Sequence, residues 1–227
     1  MNDDDPILDS FIEQARLFPL PNLVLFPHID QPLHIFEPRY RQLTADALAD
    51  DRLIALALVT EGSKVDLAGS PPIHPGVCVG RIIAEKMMDD GEYLLVLRGL
   101  ARGRIVEEIA GDEPYRTARV QVLQDAITLP PADVLAVRRR FASLILPSVS
   151  NPNQRKELQE LFSKEIPLGM LCDFLAYKLH LPFARKQQLL EEPDVATRAR
   201  ILLEELSRSL PPGPPEGRKF PPDFSLN

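Results

Sequence analysis

The chain contains no tryptophan and only two cysteines, Cys78 and Cys172, in 227 residues. Both thiols sit in apolar surroundings and read as buried and free, because a disulfide framework belongs to exported proteins. The opening stretch, MNDDDPILDSFIEQ, is acidic. A secretory leader needs a basic start followed by an apolar run, so the expected location is the cytoplasm. No apolar run reaches the roughly 18 residues that a spanning helix needs, which leaves no membrane partner to expect. A G-x-x-x-x-G-K-[ST] phosphate loop is missing too, so backbone amides arranged to cradle ATP are not expected. Net charge is −7, from 26 basic and 33 acidic residues, and an acidic balance repels nucleic acid.

Candidate chemistry is equally sparse. His28, His34, His74 and His180 lack the spacing of a metal site, and no Cys or second carboxylate–His pair joins them. Asp89, Asp90 and Glu92 lack the calcium-loop pattern and read as turn residues. Ser63, Ser70 and Ser148 stand in expected loops with no elbow motif around them, so loop capping is the reading. The run Arg138-Arg139-Arg140 lies on an expected helix, where successive side chains diverge by about 100° and form no flat patch. No metal, no cofactor and no catalytic residue is expected.

Proline, by contrast, is abundant: 23 residues, gathered in 19–38, 71–75 and 211–222. Between these stretches the first half alternates as strands do. Short apolar runs at 15–20, 23–26 and 32–36 precede a helix at 37–50, with Pro38 in its first turn, where a missing N–H is no loss. Residues 52–59, RLIALALV, are apolar on both faces, as in a strand covered on both sides. A loop is expected from Thr60 to Gly76. The runs 77–88 and 92–99 flank Asp89-Asp90-Gly91, a hairpin signal because the tight turn needs a positive φ. Strands at 102–109 and 115–123 continue the meander.

After Pro130-Pro131 the apolar period changes to about 3.6. Stripes built on Val134/Val137/Phe141/Leu144/Ile145, Leu158/Leu161/Phe162, Leu168/Leu171/Leu175/Leu179 and Val195/Ala199/Leu202/Leu206/Leu210 mark helices, with a shorter one at 182–192. Asp194 is placed to cap the last. Strands first and helices second define an α+β chain. The expected division is an acidic extension (1–14), a β subdomain (15–125), a helical subdomain (131–210) and a proline-rich tail (211–227).

The string LFPLPNLVLFPHIDQPLHIFEPRYRQL (17–43) resembles the opening of the LON substrate-binding domain family, the amino-terminal domain of Lon-type ATP-dependent proteases. Its Phe36-Glu37-Pro38-Arg39-Tyr40 step resembles the stand-alone bacterial members. VGRIIAEKMMDDGEYLLVLRGLARGRIVEE (79–108) is similar to the family's hairpin and Gly-x-x-Arg strand, with Gly80, Gly91, Gly99 and Arg102 in place. ARKQQLLEEPDVATRARILLEEL (184–206) resembles its closing helices. The resemblance implies a PUA-like β pseudobarrel followed by a carboxy-terminal helical bundle. It also implies recruitment of unfolded or marked polypeptides, with a protease or chaperone as the onward partner. The chain ends at Asn227 and shows neither ATPase nor serine–lysine peptidase motifs, so binding without cleavage is expected.

Glu37, Arg39 and Tyr40, with the glycines and Arg102, are expected as structural motif residues; Glu37 and Arg41, at i and i+4, suggest a surface ion pair. Polypeptide binding asks for exposed apolar surface and free strand edges. The proline-rich opening offers Phe26, Pro27, His28, Ile29 and Phe36 for that purpose, although Phe26, Ile29 and Phe36 suit a core plug equally. The alternative reading is an RNA-binding PUA-like protein, which would need a contiguous basic face and a stacking aromatic.

Overall fold

The computed structural model describes residues 11–60, 70–163 and 166–209. The expected tail (211–227), most of the expected acidic extension and Ser63 lie outside them. Six strands and six helices are found there: β1 (Phe11–Leu20), β2 (Asp30–Ile35), α1 (Pro38–Ala49), β3 (Leu53–Val59), β4 (Ile73–Met87), β5 (Tyr93–Ile109), β6 (Thr117–Leu123), α2 (Pro131–Ile145), α3 (Pro152–Ser163), α4 (Leu168–Lys178), α5 (Phe183–Glu191) and α6 (Val195–Ser209). A sheet and helices in this order make an α+β chain.

The strands pair in the order β2-β5-β4-β3-β1-β6, and β6 returns to β5. Five strands therefore close a ring, and β2 stands outside it on β5. Neighbours run antiparallel except β1 and β3, which pair in parallel from Leu17 with Ala55 to Leu20 with Leu58. A ring of so few strands has a narrow bore. The interior is accordingly filled by small side chains: Ala15, Leu17, Ala55, Ala57, Val77, Val79, Ala118 and Val120, all buried. Strand β3 shows the sorting directly. Ala55 and Ala57 point inward, while the bulkier Ile54, Leu56 and Leu58 are buried on the other face. Phe18 meets Tyr40 of α1 edge-on, ring centroids 4.6 Å apart.

Several elements depart from the expected ones. Strand β1 starts at Phe11, so residues 11–14 join the sheet. Strand β4 starts at Ile73, inside the loop expected to run to Gly76. The runs 92–99 and 102–109 form one continuous strand, β5, which absorbs an extra residue near Leu100 where Gly80 pairs with Gly99 and Val79 with Ala101. Residues 23–26 are no strand, although Val24, Leu25 and Phe26 are buried. Prolines at 21 and 27 bracket the run, and Pro27 can donate nothing to a ladder. At the hairpin turn, Gly91 has φ 80°, the conformation the Asp-Gly signal called for.

The described residues fall into two compact units, one within Met1–Leu129 and Ile166–Ala199, the other within Pro130–Glu165 and Arg200–Asn227. The helical residues expected as one bundle over 131–210 are thus shared between the units: α4 and α5 belong with the strands, α2 and α3 with the second unit. In that second unit Phe141 and Ile145 of α2 are buried, and Leu158, Leu161 and Phe162 of α3 are half-buried.

In the first unit α5 is tied to β4 by buried polar contacts. Gln187 Nε2 donates to Gly76 O at 2.8 Å, and Gly76 N donates to Glu191 Oε1 at 3.2 Å. Asp194 caps α6 as expected, accepting from Thr197 N at 3.1 Å and Thr197 Oγ1 at 2.8 Å, and also from Thr128 Oγ1 at 2.9 Å.

Candidate functional site

The proline-rich opening folds back onto the ring. Ile29 N donates to Phe26 O at 3.3 Å, closing a turn in which His28 takes φ 65°. His28 N donates to Gly99 O at 2.7 Å, and Gly99 N donates to Ile29 O at 2.9 Å. A Cβ on Gly99 would lie 2.1 Å from Phe26 O, so only glycine lets the turn seat here. This seating decides the expected binding residues. Phe26, Pro27 and Ile29 are buried and cannot line an open surface; only His28 and Phe36, the latter 57% exposed, reach solvent. The apolar plug outweighs exposure because burying such side chains is worth about 1.5–3 kcal/mol each.

What the opening does expose is β2. Its register pairs Pro32 with Val96, Leu33 with Leu95 and His34 with Leu94. Across β5, Val96 pairs with Ala84 and Leu94 with Lys86. Alternation therefore puts Pro32, His34, Leu94, Val96, Ala84 and Lys86 on one face. A groove of about 510 Å³ lies along these strands. Leu94 at its floor is 45% exposed. A second cavity of about 290 Å³ adjoins it, lined by Phe18, Leu20, Ile35, Phe36, Tyr40 and Val59 among others. His34 lines both. Its ring stands 5.9 Å from that of Phe36, and its Nε2 is 2.5 Å from Glu92 Oε2.

The outer edge of β2 is less open than a free strand edge should be. Pro32 has no N–H, so its nitrogen must face away from β5. Its carbonyl accepts from Gln31 Nε2 at 2.8 Å. Strand addition there is interrupted at its centre, and an occupant of this face must be held mainly by side chains.

The motif residues fall into place around these features. Glu37 precedes α1, with Pro38 at its first turn, and accepts from Arg39 at 3.0 Å instead of pairing with Arg41. Arg39 also lies over the Tyr40 ring, 4.5 Å from its centroid. Arg41 reaches instead toward the Gly91 turn, where an added Cβ would meet its Nη2 at 2.1 Å. The resemblance singled out Arg102 without a role; the structure places it in a ring of charges that is buried except at Asp125. Arg102 Nη1 donates to Asp125 Oδ1 at 2.8 Å, and Nη2 donates to Asp173 Oδ1. Arg198 closes the ring, donating to Asp173 Oδ1 at 2.6 Å and Asp125 Oδ2 at 2.5 Å. Burial pushes the Asp173 carboxyl up, against the opposing pull of Arg102 and Arg198. Nothing in the sequence joined Asp125, Asp173 and Arg198 to this group. Close by, burial pushes the Cys78 thiol up and that of Cys172 up to about 12, so both are poor nucleophiles. Both are free and buried, as expected.

A model of the ATP-dependent protease La (LON) substrate-binding domain matches residues 14–208. The chain belongs to that family. It is 30% identical over 193 residues to Lon protease 2 of Myxococcus xanthus, a match covering 85% of this chain and 23% of that protein. It is 29% identical over 209 residues to the Lon protease of Syntrophus aciditrophicus, covering 86% of this chain and 26% of that one. The chain thus spans about a quarter of the length of these curated relatives. Among solved structures, the Lon N-terminal domain protein from Xanthomonas campestris superposes with TM-score 0.60 and 24% identity, over 88% of this chain and 100% of that one. The N-terminal domain of the Mycobacterium avium complex Lon protease gives 0.65 and 20%, over 87% and 100%. At those identities the likeness concerns the fold. No described helix of this LON-family chain is long and apolar enough to cross a membrane.

Proposed function

We propose that this LON-domain chain holds unfolded or marked polypeptide segments on the β2–β5–β4 face and breaks no bond in them. The onward partner is a protease or chaperone, in the cytoplasm, and the strand ring is of the PUA-like type. The observation that carries this reading is the groove itself. An apolar floor of Pro32, Leu94, Val96 and Ala84 stays uncovered beside a second apolar cavity, whereas other exposed apolar residues of the first unit, such as Ile83, Val106, Ile127 and Phe183, line neither. Surfaces of this kind recruit apolar side chains. Affinity for one segment should be about micromolar, since a shallow site gains little over the entropy lost on binding.

Charge supports protein over nucleic acid as the ligand. Arg16, Arg52, Arg98 and Arg116 are each held by a carboxylate of this chain, leaving no contiguous basic face among them. Binding of one protein presented unfolded and folded tests the reading. Enrichment of the unfolded form on the immobilised chain is expected; equal retention of both forms would refute it.

A further inference from the structure

We propose that the groove selects extended segments that carry an acidic side chain beside their apolar residues, with the Lys86 ammonium as the partner of that acid. This rests on the polypeptide-holding reading and names its substrate class.

Two cross-strand rows make the groove, Pro32–Val96–Ala84 and His34–Leu94–Lys86. At one end Arg98 grips Asp30 through two bonds, 2.7 and 2.8 Å long. At the other end His34 meets Glu92. Glu85, the acid that lines the groove itself, is held by Arg52. Each of these acids therefore already has a basic neighbour within the protein. Lys86 is the exception. It is exposed, lines the groove beside Leu94, and has no hydrogen bond or ion pair among the described residues.

An occupant seating apolar side chains on Leu94 and Val96 displaces water from around Lys86, which strengthens whatever charge interaction it makes. A carboxylate there completes the pairing; a lysine or arginine there meets like charge. Asp89, in the turn beyond Met88, is an opposing charge but does not line the groove. A neutral occupant is thus accepted on apolar grounds alone, an acidic one gains in addition, and a basic one is disfavoured. The mixture of apolar and acidic residues is the chemistry this face complements.

The test uses the full chain and three fluorescent peptides with the same apolar residues, flanked by glutamate, glutamine or lysine. Fluorescence anisotropy should rank them glutamate, glutamine, lysine, each step about threefold in Kd at low salt. High salt should compress the series. Lys86→Glu, a change at an exposed position, should reverse the order. Equal affinities for all three peptides, or an order that Lys86→Glu does not alter, would overturn the proposal while leaving polypeptide holding intact. Absence of binding by every peptide to the unaltered chain would remove both.

Discussion

The ring of Arg102, Asp125, Asp173 and Arg198 and the groove along β2, β5 and β4 are opposites. In the ring, Arg102, Asp173 and Arg198 are buried, Asp125 is partly exposed, and the charges are matched, four carboxylate–guanidinium pairs linking β5, α4, α6 and the segment after β6. In the groove, apolar groups are exposed and matched by nothing. A buried charge is retained only while its partner is in place, so the ring belongs to stability. An exposed apolar floor contributes nothing to stability, so it is left for binding. Substitutions should separate the two completely.

Asp173→Ala is the severest test. It leaves two buried guanidiniums sharing Asp125, and the expected loss is about 3–5 kcal/mol in denaturant unfolding. Next comes Gly99→Ala, whose methyl group meets the backbone carbonyl of Phe26 and must displace the Phe26–Ile29 turn. About 1–3 kcal/mol should be lost, as for overpacking elsewhere. Leu94→Glu reverses the pattern. Unfolding should shift by no more than about 0.5 kcal/mol, as at other exposed positions, while affinity for unfolded polypeptide should fall about tenfold, or 1.4 kcal/mol. A Leu94→Glu chain that unfolds early, or an Asp173→Ala chain of full stability, would break the comparison.

The smallest effect concerns the Arg98–Asp30 pair beside the groove. Hydrogen bonds from Arg98 hold the Asp30 carboxyl below the usual carboxylate range, against a weaker opposing effect of desolvation. A depressed folded value means the pair stabilises the chain above the unfolded value of about 3.9 and ceases to do so as pH falls through the folded one. Because the pair is largely exposed, the effect is slight. NMR titration of Asp30 should give a midpoint below that of the same carboxyl in the Arg98→Met chain.

Local chemistry was legible in the sequence, and distant chemistry was not. Asp90-Gly91 specifies its turn by backbone conformation alone, and Asp194 specifies a helix start by its own side chain, so both could be read in place. The period of the apolar residues separated strands from helices for the same reason. The continuity of β5 was hidden because the first run was read as ending at Gly99, whereas Gly99 is required by the turn that seats on it. Residues 23–26 misled in the other sense: apolar content alone does not make a strand when neighbouring prolines deny it a ladder. The charged ring was beyond reach, since Arg102 finds its acids 23 and 71 positions away. Family resemblance marked Arg102 but supplied none of its partners. The exposure of the expected binding residues was not legible. Proline-rich spacing led to the 26–36 segment, but only the seating on Gly99 separates the buried Phe26 and Ile29 from the exposed Phe36.

Photocrosslinking from defined positions on β5 tests the central claim most directly. A photoreactive residue at position 94, in the groove, should capture an unfolded polypeptide. The same residue at position 106, where Val106 is 50% exposed on the far half of the strand, should not. Equal capture from both positions, or capture from 106 alone, would contradict the assignment of polypeptide binding to this face.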